Sequence, residues 1–245
     1  MHTHILISTR IGMKRTTVIC LLGFLLVHSA AAAAGAAESQ DPRQTEFFRL
    51  HDSYQREVVL QEEPQRIISI GPNITEIIYA LDAGDRLVGR SDYCDFPLEV
   101  REKPSVGDLL DPSLESILEL EPDLVIASTH VDLSAVRAIE QAGITVAAVF
   151  TDESFDGVFS TIRTTAQLIG NPEAAEEIIL SMQDTLDDVA RIIEGADRPR
   201  VYYVVDFGPW GDFTAGGNTF VHELIERAGG DNIASDVSGW SYSLE

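Results

Sequence analysis

The residues of this 245-residue chain that could do chemistry are few, and they do not assemble into a catalytic set. Beyond the N-terminal leader discussed below, the histidines are His51, His130 and His222. They are widely separated, with no HExxH or paired-His spacing, so an all-protein zinc or manganese site is not expected. Asp92, Asp95 and Asp108 form a loose acidic group that reads as solvated loop carboxylates. Gly208-Pro209-Trp210-Gly211 and Gly216-Gly217 look superficially like a phosphate loop but carry neither GxGxxG nor a GK[ST] ending, which argues against a dinucleotide enzyme. Cys94 reads as a buried, inert thiol. No nucleophile with a base is visible, so no catalytic residue, no protein metal site and no resident cofactor is expected. What the residues do offer is a place to present a ligand. Arg66 to Ile70 is a short apolar run broken by Gly71-Pro72, and Asn73, with Glu76 three residues on, reads as the N-cap of a helix carrying Ile74, Ile77, Ile78 and Leu81 on one face. Pro72 and Asn73 then sit at the carboxyl end of a strand, where open α/β sheets bind ligands; a turn that serves packing alone is the other reading.

The elements that must position this turn follow from periodicity. A hairpin is expected over Phe47 to Leu60 around Asp52-Ser53-Tyr54-Gln55. Strands are expected at Leu87 to Gly89, Leu124 to Ser128 and Ile144 to Phe150. Between them, Asp111-Pro112 opens a helix that carries Leu114, Ile117 and Leu118 inward, and a further helix spans Leu133 to Ala142 and ends at Gly143. This alternation implies a parallel sheet with right-handed crossovers. From Ser154 the pattern becomes purely helical. Phe155 to Ile169 is followed by Gly170-Asn171-Pro172 and then by Glu173 to Glu194, roughly 33 Å of helix at 1.5 Å per residue. After it the opening theme restarts: strand Arg200 to Asp206, Gly-rich loop Phe207 to Gly217, helix Thr219 to Ala228. The expected fold is α/β, two lobes joined by one long helix, with boundaries at residues 38–153 for the first lobe, 154–198 for the helical linker and 199–245 for a partial second lobe.

Composition bounds the setting. Met13-Lys14-Arg15, the apolar run Val18 to Val27 and the small-residue tract Ala30 to Ala37 read as a signal peptide over residues 1–37, too short to span a membrane, with Met13 a possible true start. Its removal takes away three of the 17 basic residues and none of the 40 acidic ones, so the net charge falls from −23 to about −26. Nucleic acid and anionic membranes are poor partners for such a chain. With Cys94 the sole remaining cysteine, no intramolecular disulfide can form in the oxidising compartment to which the leader points.

Taken in order, Arg66-Ile67-Ile68-Ser69-Ile70-Gly71-Pro72-Asn73-Ile74-Thr75-Glu76, Val88-Gly89 with Asp92-Tyr93-Cys94-Asp95-Phe96-Pro97, Val106-Gly107 with Pro112-Ser113-Leu114-Glu115, and Glu121-Pro122-Asp123-Leu124-Val125-Ile126-Ala127 resemble the periplasmic binding proteins for cobalamin and ferric siderophores that serve ABC importers. The resemblance covers roughly residues 45 to 245. It implies two Rossmann-like lobes bridged by one long helix, a second lobe shorter than the family's, and a monomeric periplasmic receptor that hands a cobalt- or iron-containing ligand to a permease. It implies ligand contact by Tyr93, with Trp210 and Trp240 lining the other side, and docking on permease arginines by Glu115 and Glu245. Leu109 and Ser128, with His130 just beyond, stand where a known cobalamin binder has tryptophans, so corrinoid, ferric siderophore and haem stay open as ligands. A cofactor-processing enzyme on the same scaffold is the rival from another class.

Overall fold

Two buried strands show why the first half folds as it does. Ile67, Ile68 and Ile70 of β3 (Ile67–Ile70) and all four residues of β5 (Leu124–Ala127) are buried, and they alternate between two separate apolar clusters. Ile67, Leu124 and Ile126 point to one face of the sheet, Ile68, Ile70, Val125 and Ala127 to the other, which is the period-2 signature of a strand covered on both sides. The computed structural model describes residues 47–128, 131–206, 208 and 212–242. The expected signal peptide, His130, Trp210 and Glu245 lie outside them.

A hairpin comes first, β1 (Phe48–His51) against β2 (Glu57–Leu60), antiparallel around Asp52 as expected. Then β3, helix α1 (Pro72–Ala80), β4 (Leu87–Arg90), α2 (Leu114–Glu119), β5, α3 (Leu133–Gln141) and β6 (Thr145–Ala148) alternate. The four strands form one parallel sheet in the order β4-β3-β5-β6. On one face Ile74 and Ile78 of α1 pack with Phe159 and Ile162 of α4 (Phe155–Ile169) and Ile179 of α5 (Pro172–Ile192); on the other lie Ile117 of α2 and Val136 and Ile139 of α3. Side-chain caps punctuate the helices: Asp132 Oδ1 accepts from Ser134 N–H at 2.7 Å and Ser154 Oγ from Gly157 N–H at 3.0 Å, while Gly170 at φ +78° ends α4.

The structure corrects four local expectations. Asn73 is not the N-cap of α1. Gly71 takes that place at φ +136°, Pro72 fills the first helical position where no N–H is needed, and Asn73 sits inside the helix. Only glycine fits at 71, because a Cβ there would stand 2.2 Å from Ser128 Oγ. α2 starts at Leu114 with Ser113 as cap rather than at Asp111-Pro112, and on so short a surface helix Leu118 stays 44% exposed. The expected strand Arg200 to Asp206 is two pieces in different sheets: β7 (Arg200–Val201) pairs in parallel with β10 (Asp231–Asn232), and β8 (Val204–Asp206) pairs antiparallel with β9 (Asp212–Thr214). β9 therefore also divides the Gly-rich segment, and β11 (Ser241–Tyr242) completes that three-stranded sheet. Helix α6 (Phe220–Arg227), capped by Thr219, lies between them in sequence. Residues 46–245 form one compact unit.

Candidate functional site

From β3 the chain moves outward through α1 to β4, then crosses back through α2 to β5 on the other side of β3. The connections therefore leave β3 and β5 in opposite directions, and it is beyond such carboxyl ends that open α/β sheets place a ligand crevice. Gly71 and Ser128 meet there, Ser128 N–H donating to Ile70 O at 2.8 Å. Pro72, half-buried, and Asn73, exposed, stand on this edge, and the Asn73 amide donates to Thr151 Oγ1 at 3.3 Å across the sheet from the β6 side.

Beneath the edge runs a buried polar chain. Ser69 Oγ and Thr75 Oγ1 are 2.6 Å apart, Thr75 Oγ1 donates to Cys94 Sγ at 3.0 Å, Cys94 Sγ and Ser91 Oγ are 3.2 Å apart, and Ser91 Oγ accepts from Gly71 N–H at 3.1 Å. These four side chains are almost wholly buried, so their mutual bonding fixes the spacing of the loops after β3 and β4. Cys94 is a structural member of this chain, as its sequence context suggested.

Tyr93 follows β4 and is 58% exposed. Its hydroxyl donates to Asp108 Oδ2 at 3.2 Å, and that hydrogen bond, followed by the carboxylate's charge, raises the phenol above its ordinary pKa. At the opposite edge, beyond β6, Trp240 is 37% exposed, and its indole N–H donates to Glu153 Oε1 at 3.3 Å. Sequence reasoning overlooked Glu153; its partner lies 87 positions away and nothing local signals the contact. Between β4 and β6 lie three inter-strand spacings of about 4.8 Å, roughly 14 Å. Tyr93 thus adjoins the β4 side of the carboxyl edge and Trp240, through Glu153, the β6 side, with Pro72 and Asn73 after β3 between those strands. Glu115 is exposed in the first turn of α2, and because α2 returns the chain from the carboxyl end of β4, that turn faces the same edge. An apolar groove of about 360 Å³ opens beside Asn73, with Ile77, Val158, Ile162, Met182 and Phe96 around it. Among the described residues no group of three or more His, Cys, Asp or Glu is gathered as a metal site would require, and no helix is long and apolar enough to cross a membrane. Such an edge can bind, with aromatic faces, apolar surface and a few hydrogen-bonding groups.

Known proteins resemble this chain in sequence and in fold. The model of the periplasmic binding protein family matches residues 67–244. The chain is 31% identical over 228 residues to an uncharacterized ABC transporter substrate-binding lipoprotein of Bacillus subtilis, covering 90% of this chain and 72% of that one. It is 32% identical over 238 residues to a cobalamin-binding protein of Halobacterium salinarum, covering 92% of this chain but 63% of the relative's length. Among solved structures it resembles a periplasmic heme-binding protein from Roseiflexus sp. RS-1 at 30% identity and a TM-score of 0.65, over 74% of this chain and 70% of that one.

Proposed function

Because this chain belongs to the periplasmic binding protein family, we propose that it is an exported receptor that captures a cobalamin-like corrinoid and delivers it to an ABC importer. Capture and release are its whole task; the metal travels inside the cargo, and no resident cofactor takes part. The reading places the receptor in the periplasm as a monomer, with permease subunits as its macromolecular partners. One observation carries it: Tyr93 follows β4 and Trp240 is held by Glu153 beyond β6, on the two sides of a topological switch, a span that suits a broad macrocycle better than a small solute. The cobalamin-binding relative points to the same ligand class.

Haem is the second reading, favoured by Tyr93. Its exposed phenol is an oxygen donor of the type that ligates haem iron. Titrating the full protein separately with cyanocobalamin, haemin and a ferric siderophore, followed by absorption and tryptophan quenching, tests both readings. Saturable micromolar or tighter binding of cyanocobalamin alone supports the first and of haemin alone the second; binding of none removes the receptor reading. Ligand recovered in altered form would favour an enzyme instead.

A further inference from the structure

Helices α4 and α6 exchange carboxylates. Glu153 lies just ahead of α4, yet its Oε2 accepts from the backbone N–H of Phe220, the first residue of α6, at 2.9 Å. Glu223 lies in the first turn of α6, and its Oε2 accepts from the backbone N–H of Phe155, the first residue of α4, at 2.8 Å. Each helix start leaves N–H groups without an internal partner and carries the positive end of the helix dipole, so each favours an anion, and here the other helix supplies it. Between the two exchanges the rings of Phe155 and Phe220 meet at 5.1 Å. The Arg227 guanidinium lies 4.9 Å from the centre of the Phe155 ring and pairs with Glu223 at 2.7 Å.

The arrangement matters because of what it joins. α4 covers the first, four-stranded sheet, whereas α6 packs on β10 beyond α5 and reaches the first core through Phe220. A single helical connection holds two bodies at a given separation along its axis but leaves rotation about its ends open, and α5 runs out into Gly195 at φ +74°. The crossed carboxylates supply a second attachment at the carboxyl edge of the sheet. The remaining oxygen of Glu153 accepts from the Trp240 indole, so the same residue that caps α6 also orients an aromatic face beside the crevice. We propose that Glu153 and Glu223 are positioning residues that lock the two halves together and hold Trp240 at the ligand edge; the ligand part of this rests on the receptor reading above.

Spin labels on Glu119→Cys in α2 and Asp236→Cys beyond β10 report the separation of the halves, and buried Cys94 stays unlabelled. In a Trp210→Phe background Trp240 is the sole tryptophan, and its emission reports its surroundings. Glu153→Ala is expected to broaden the label distances and red-shift the emission, and Glu153→Gln, which keeps an acceptor oxygen, to recover part of both. With Trp210 retained, Glu153→Ala and Glu223→Ala should each weaken the better-bound of cyanocobalamin and haemin roughly tenfold, the scale of one lost charge-assisted hydrogen bond, and the double variant by little more than either alone. Unchanged distances and emission in Glu153→Ala would overturn the lock. Broadened distances with unchanged affinity would overturn the positioning role. If the parent binds neither probe, the ligand reading falls while distances and emission still decide whether the lock exists.

Discussion

Tyr93 illustrates how much one solvent-facing side chain can say. Because its phenol donates to Asp108, the neutral form is favoured in the fold; the associated contribution to stability is present below the ordinary tyrosine range and is lost as alkaline pH carries the group through its raised value. Asp108→Ala should therefore let Tyr93 ionise at a lower pH, read as tyrosinate absorbance against a Tyr93→Phe control. An unaltered titration would show that the contact is not populated in solution. Tyr93→Phe itself separates the two ligand readings, since it removes the oxygen but keeps the ring. Haemin binding should lose its ligand-to-iron absorption features, whereas cyanocobalamin affinity should change little. Gly71 makes the complementary steric case. Gly71→Ala places a methyl 2.2 Å from Ser128 Oγ at φ +136°, and overpacking of that kind lowers stability by about 1–3 kcal/mol. Urea denaturation should show the loss and its partial recovery in a Ser128→Gly background, where the clash is relieved and the backbone strain remains. No recovery would mean that the φ angle alone forbids a side chain there.

At the scale of elements, the hairpin β1–β2 is held to the sheet by one buried carboxylate. Asp52 accepts from the N–H groups of Tyr54 and Arg56 at 3.0 Å each and of Ala148, at the end of β6, at 3.1 Å, and it pairs with the Arg56 guanidinium. Ser53 continues the seam, its N–H donating to Ala148 O at 2.9 Å and its hydroxyl accepting from Phe150 N–H at 2.8 Å. Arg56 keeps Glu140 at 3.2 Å and the Val146 carbonyl, but the N–H groups of Tyr54, Arg56 and Ala148 lose their acceptor, so Asp52→Ala is expected to lose about 1–3 kcal/mol. The Ala148 and Phe150 amides should exchange hydrogen faster. A loss of only about 0.5 kcal/mol, typical of a surface substitution, would show that the hairpin docks through its apolar Val58 and Leu60 instead.

For the whole molecule, the proposed receptor role raises the question of which surface would meet a permease. Glu115 is exposed, sits where the dipole of α2 favours a carboxylate, and lies toward the same edge as the crevice. If it meets permease arginines, Glu115→Arg sets like charges face to face and should abolish uptake in reconstituted vesicles while ligand affinity and urea midpoint stay at parent values. Transport at the parent rate would remove Glu115 from the interface; lost ligand affinity would place it in the pocket instead.

The sequence by itself determined the elements whose signals are local. The apolar runs at Ile67 and Leu124, the amphipathic stretch Phe155–Ile169, the long helix expected over Glu173 to Glu194 and found at Pro172–Ile192, and the hairpin around Asp52 follow periodicity and turn residues, because each is set by neighbours a few positions away. The family was legible too, through the order and spacing of short motifs around Gly71, Tyr93, Glu115 and Asp123. Three-dimensional packing decided the rest. Asn73 looked like a cap by its neighbours, yet the close approach of Ser128, 57 positions later, makes Gly71 the turning residue and draws Asn73 into the helix. Arg200 to Asp206 looked like one strand by composition, but strand partners are chosen by tertiary pairing, and its two ends pair in different sheets. Glu153 carried no local mark at all. Its meaning comes from Phe220 and Trp240, residues brought to it only once α4 and α6 meet.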